Sequence, residues 1–146
     1  MITIQPNINH LQLQTHLNFI DSFGNWCHKQ SWRLVIYGGY GLDGYLQTIT
    51  RNHGDIDLVI YGRSPRSQAL AKIVNYLKKT ISEVEVKSKD EDFLIDIKVK
   101  SKSISGNFYY VPTADDPYEN LNIVIKLDGT HVTIYQENSP LLLWED

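Results

Sequence analysis

Tyr37 to Ile60 (YGGYGLDGYLQTITRNHGDIDLVI) constrains the fold of this chain more than any other stretch. An apolar run, Trp32–Tyr37, leads into it and reads as a strand, because β-branched and aromatic residues dominate it. Gly38 and Gly39 stop that run. Tyr40–Gln47 has the make-up of a short helix starting directly after the glycines. Ile56–Tyr61 (IDLVIY) is a second strand. Asp55 and Asp57 stand two residues apart on it, so both carboxylates point to one face.

The flanking elements follow from periodicity. Leu13, Leu17, Ile20 and Phe23 recur at helical spacing and predict a helix over about 9–28; Gly24 falls inside it and could end it early. Ser64-Pro65 reads as an N-cap followed by proline at the first helical position. The helix it opens carries Leu70, Ile73, Val74, Leu77 and Ile81 on one face. Val84 and Val86 alternate with charges, and Lys87–Asp92 reads as a polar turn. Phe93–Lys100 alternates with period two, which predicts a strand with Asp96, Lys98 and Lys100 on its polar side. Asn107–Val111, Asn122–Leu127 and His131–Tyr135 are further strands, with Asp128-Gly129 as a hairpin turn before the last. The order predicts an α+β fold, a mixed twisted sheet with helices packed on it. At 146 residues one domain spanning 1–146 is expected, with a short β-rich C-terminal part.

Composition removes several classes. No apolar run approaches the roughly 20 residues of a membrane-spanning helix. The N-terminus lacks the basic and apolar regions of a secretory signal. A single cysteine, Cys27, makes neither an internal disulfide nor a cysteine-rich zinc site, and a cytoplasmic location is expected. The net charge of -3 argues against a duplex-DNA binder. Residues 51–100 nevertheless hold ten of the 14 basic side chains, so an anionic ligand is expected there.

The residue types point to phosphate chemistry. Paired carboxylates repel one another and suit a hard cation such as Mg²⁺. Glycines at 38 and 39 let backbone amides approach a phosphate, and the helix start adds its positive end. Asp96, flanked by Ile95 and Ile97, is the best third carboxylate, provided its strand lies beside that of Asp55 and Asp57. Three carboxylates holding two metal ions suit in-line phosphoryl or nucleotidyl transfer. The plain alternatives are a solvated strand face for Asp55, Asp57 and Asp96, and an ordinary strand-ending turn for the glycines.

GGYGLD followed by RNHGDIDL resembles the signature of the lincosamide and aminoglycoside nucleotidyltransferases, of the DNA polymerase β-like superfamily. Gly38, Gly39, Tyr40, Gly41, Leu42, Asp43, Arg51, His53, Asp55 and Asp57 fit that pattern. The resemblance implies the polymerase β-like nucleotidyltransferase fold. It also implies transfer of a nucleoside monophosphate from a nucleoside triphosphate such as ATP to a hydroxyl of a small aminoglycoside- or lincosamide-like acceptor, with release of pyrophosphate. Asp55 and Asp57 would bind Mg²⁺, and Asp96 would be the third metal ligand or general base. Gly38 and Gly39 would hold the β- and γ-phosphates, Arg51 would lie near them, and His53 would orient the carboxylates or the nucleotide. Asp43 would tie the short helix to the Arg51 turn.

Two departures qualify that expectation. Lys98 lies two residues after Asp96, where some relatives have a second acid; it would pair with Asp96 or a phosphate. The longer acceptor-binding C-terminal region of many relatives is replaced by an acidic tail, whose apolar LLLW run is a candidate homodimer contact. Modification of a protein or RNA in the toxin–antitoxin manner, and nucleotide binding without catalysis, are the rival functions.

Overall fold

Alternation of apolar and polar residues builds one sheet, and the apolar side of that sheet collects the helices. The computed structural model describes residues 2–4, 11–46, 53–113, 123–127, 132–136 and 142–145. Its elements are β1 (Ile2–Ile4), α1 (Leu11–Lys29), β2 (Arg33–Tyr37), α2 (Gly38–Leu46), β3 (Ile56–Gly62) and α3 (Arg66–Thr80). They continue with β4 (Glu85–Asp90), β5 (Ile95–Lys100), β6 (Ser105–Pro112), β7 (Ile123–Leu127), β8 (Val132–Gln136) and β9 (Leu142–Glu145). The nine described strands form one mixed sheet in the order β1-β7-β8-β9-β2-β3-β6-β5-β4. No helix among the described residues is long and apolar enough to cross a membrane.

The core lies on one side of the strands. Ile56, Leu58 and Ile60 of β3 are fully buried, as are Phe108 and Tyr110 of β6 and Ile97 of β5. Phe19 and Phe23 of α1 pack on Phe108 with ring centroids 5.9 and 5.6 Å apart, and Phe23 stacks on Tyr76 of α3 at 5.3 Å. Both long helices therefore cover the same face. Gly24 does not end α1. It is buried within the helix, and the buried Phe23 and Cys27 carry the helix on past it. The chain turns after α1 at Ser31, which holds a left-handed φ of 64°.

Two other expectations are corrected. Pro65, with φ -57° and ψ 145°, is itself the N-cap residue of α3, so Ser64 does not cap. The Ser64 hydroxyl instead accepts from Trp32 Nε1 at 3.0 Å, and its carbonyl accepts from the Tyr110 hydroxyl at 2.8 Å. The polar stretch from Lys87 is strand as far as Asp90, because its backbone pairs with β5 over six residues. The turn follows at 91–94, where Arg66 binds the Asp90 carboxylate at 2.6 Å and the carbonyls of Glu91 and Asp92. Phe93 sits in that turn, 82% exposed, rather than in the strand. Leu142–Trp144 of the LLLW run lie in β9, whose backbone pairs with β2 and β8. The Asp128-Gly129 turn lies outside the described residues, but β7 and β8 are antiparallel as a hairpin requires.

Candidate active site

The site is built where β2 ends and β3 begins. Tyr37, the last residue of β2, lies in register with Asp57 of β3. The next residue, Gly38, has φ +68° and opens α2. A side chain here would be strained, because L residues avoid this region. It would also have no room: a Cβ on Gly38 would fall on the Asp57 carboxylate, and one on Gly39 would fall on the His53 imidazole. The glycine pair thus seats the start of α2 directly against the acidic strand and the turn before it.

Asp55 is exposed and Asp57 is half-buried. Burial, and then the neighbouring charge of Asp55, raise the Asp57 carboxyl above its ordinary range; the Asn107 backbone N–H and His53 pull the other way. His53 is buried and its Nε2 lies 2.5 Å from Asp43 Oδ2. Its ring meets Tyr40 edge-on at 4.4 Å, and the Tyr40 hydroxyl lies 2.7 Å from His16 Nδ1. A buried polar string thus runs from α1 through α2 to the turn that presents Asp55. Asp43 ties α2 to His53 in this arrangement. Arg51 lies outside the described residues.

The third carboxylate does not join the pair. Asp96 was expected on a neighbouring strand, but β6 lies between β3 and β5. The cause is the β5–β6 hairpin, closed by hydrogen bonds between Ser101 and Ile104 at 2.8 Å. It turns the fully buried Phe108 and Tyr110 inward beside β3 and leaves polar β4 at the edge. The residue in parallel register with Asp57 is Asn107. Its Nδ2 donates to Asp96 Oδ1 at 2.8 Å. Asp96 therefore holds Asn107, and no ion pair joins it to Lys98 among the described residues. No group of three His, Cys, Asp or Glu is placed to hold a metal among the described residues.

The residues present still fit a hard cation in a narrower sense. Mg²⁺ is commonly held by one or two carboxylates together with substrate phosphates. Asp55 and Asp57 supply two such groups, whose mutual repulsion a cation would relieve. The start of α2 offers backbone N–H groups to the phosphates.

Sequence reasoning missed His16 and Asn107, and gave Tyr40 a place in the signature but no role. His16 carried a signal, since it lies three residues after Leu13 and four before Ile20 on the buried face. Asn107 carried none without the strand order.

A mixed sheet backed by helices on one face thus sets a D-x-D strand against a glycine-opened helix. The chain belongs to the aminoglycoside-2''-adenylyltransferase family, whose model matches residues 24–134. No curated protein sequence matches it significantly. Among solved structures it is similar to the Thermotoga maritima CCA-adding enzyme complexed with tRNA, at 15% identity and a TM-score of 0.48, over 88% of this chain and 28% of that one. It is also similar to a CCA-adding enzyme with CTP (17%, TM-score 0.45, 88% and 28%) and to one with ATP (18%, TM-score 0.44, 65% and 20%). The chain spans less than a third of the length of these structures.

Proposed function

We propose that this chain transfers a nucleoside monophosphate from a nucleoside triphosphate to an acceptor hydroxyl. The observation that carries the reading is the packing of Asp57 against Gly38 and of His53 against Gly39. The backbone at Gly38 and Gly39 binds the terminal phosphates. Asp55 and Asp57 would hold a divalent cation shared with the triphosphate; when bound, it would neutralise phosphate charge and lower the pKa of the acceptor hydroxyl. His53, fixed by Asp43 and Tyr40, orients the turn bearing Asp55. Asp96 orients Asn107 beside Asp57. The acceptor oxygen forms a bond to the α-phosphorus as the bond to the bridging oxygen breaks. Pyrophosphate leaves, and the hydroxyl proton passes to water at the exposed Asp55 side. The family's description names an aminoglycoside acceptor; the reading for this chain requires only the hydroxyl.

The test is thermal stability with Mg²⁺ and each of ATP, GTP, CTP and UTP, on the wild type and Asp55→Asn/Asp57→Asn. A ligand binding only the folded state at a hundredfold excess over its Kd adds about 2.7 kcal/mol. A Mg²⁺-dependent rise that the double variant lacks supports the reading, and no rise with any nucleotide overturns it. Asn107, an amide beside Asp57, favours one second reading, nucleotide binding without turnover. A stability rise without transfer to any acceptor would establish that alternative.

A further inference from the structure

The helix that carries the glycine pair is anchored by hydrogen bonds where a helix is usually anchored by apolar packing. The first two residues of α2 have no side chain, and Leu42 and Leu46 are 43% and 58% exposed. The buried side chains among its described residues are those of Tyr40 and Asp43. They stand three residues apart, on one face of the helix. Each is tied to a histidine of another element. The Tyr40 hydroxyl lies 2.7 Å from His16 Nδ1 of α1, and Asp43 Oδ2 lies 2.5 Å from His53 Nε2. A helix of nine residues has little stability of its own, so these two anchors decide where α2 begins.

His16 is the less expected anchor. It lies on the buried face of α1 with Leu13, Leu17 and Ile20 and is itself fully buried. Its Nε2 has no hydrogen-bond partner among the described residues. A buried polar atom left unpaired costs free energy that an apolar side chain in the same place would not. Packing of α1 thus gives no reason for a histidine at position 16, whereas the bond to Tyr40 does. That bond fixes the Tyr40 ring, which meets His16 edge-on at 5.7 Å and the His53 ring at 4.4 Å. His53 in turn fills the space that a side chain on Gly39 would need.

We propose that His16 is a positioning residue for the nucleotide, acting through Tyr40 and His53 to hold the Gly38–Gly39 backbone where the terminal phosphates bind. This rests on the transfer reading above and adds to it a residue from α1. Being fully buried, His16 does not itself meet the nucleotide. Its imidazole sets the torsion of Tyr40, Tyr40 limits the tilt of His53, and His53 sets how closely the start of α2 approaches β3.

The experiment compares His16→Leu/Tyr40→Phe and His16→Gln with the wild type. The double variant removes both bonding groups and keeps the aromatic ring. No hydroxyl is left unpaired, so its melting temperature should stay within about 4 °C of the wild type. Glutamine keeps a hydrogen-bonding group for Tyr40. The first readout, taken without nucleotide, is hydrogen exchange at the Leu42 and Asp43 amides, which bond back to Gly38 and Gly39 in the first turns of α2. Exchange there should rise roughly tenfold in the double variant, stay unchanged in α3, and return to the wild-type rate in His16→Gln. The second readout is affinity for the Mg²⁺-nucleotide that the wild type binds. It should fall roughly tenfold in the double variant, as for other residues that hold a binding group from behind, and hold in His16→Gln. Unchanged α2 exchange in the double variant overturns the inference, and so does wild-type affinity in a variant whose α2 exchanges faster. Exchange rising equally in α2 and α3, with a lower melting temperature that glutamine does not restore, would make His16 a packing residue only. If the wild type binds no nucleotide, the transfer reading falls and takes the phosphate role with it, while the exchange result still shows whether His16 holds α2.

Discussion

Replacing Gly38 with alanine should injure stability and ligand binding together. At φ +68° the new Cβ meets left-handed strain of about 1–2 kcal/mol. The same Cβ would lie on the Asp57 carboxylate, so relief requires that carboxylate or the start of α2 to move. Gly54→Ala is the matched control. A Cβ there has nothing within 4 Å, and Gly54 has no positive φ. Glycine to alanine at an unstrained position stabilises by about 0.4–1 kcal/mol through the unfolded chain. The two substitutions should therefore shift the melting temperature in opposite directions, by about 2–4 °C per kcal/mol at this chain length. Differential scanning fluorimetry, with and without Mg²⁺ and nucleotide, measures both effects. Gly38→Ala should also lose the nucleotide-dependent shift, and Gly54→Ala should keep it. If Gly38→Ala melts with the wild type and retains the full shift, the seating of α2 against Asp57 is not what forms the site.

Three further outcomes follow from the core. Burial, the largest influence on it, holds His16 neutral below the usual histidine range, against the Ser103 backbone and Asp55 and with His53 adding to the fall. The unfolded chain then takes up the proton first as pH drops, so this contribution is complete above about pH 6.5 and is lost as pH falls through the lower folded value. Urea unfolding between about pH 5 and 8 should show that decline, and His16→Gln should flatten it; an unchanged slope refutes the assignment. Cys27 is fully buried and burial pushes its thiol well up, so a thiol reagent should label it only as fast as the protein unfolds. Phe108→Ala should cost about 3–5 kcal/mol in chemical denaturation, since the ring is fully buried against Phe19 and Phe23.

Local chemistry made much of the molecule legible in advance. The spacing of Leu13, Leu17, Ile20 and Phe23 gave α1, and alternation gave β3 and the polar face of β5. The glycine pair and D-x-D placed the candidate site because their meaning is local: short reach, one strand face, one helix start. β4 was hidden because an edge strand takes its order from backbone pairing and needs no apolar alternation. The separation of Asp96 from Asp57 was hidden for a different reason. Whether a hairpin inserts its first or second strand beside β3 depends on how Phe108 and Tyr110 pack under α1 and α3. Asp96 and Asn107 both lie on polar faces, and the sequence around each permits either order.

The one-sided packing of helices has a consequence for how such a chain can change. Along β3 the even positions Ile56, Leu58 and Ile60 are sealed in the core, while the odd positions Asp57, Val59 and Tyr61 face away from α1 and α3. Stability and chemistry are thus written on alternate letters of the same strand. Substitutions at odd positions of β3 and β6 can re-dress the binding face while leaving the packing beneath it intact. A drift in acceptor preference would then proceed through changes that leave the denaturation midpoint nearly constant. A shift of strand register by one residue has no such latitude, because it exchanges the two texts at once.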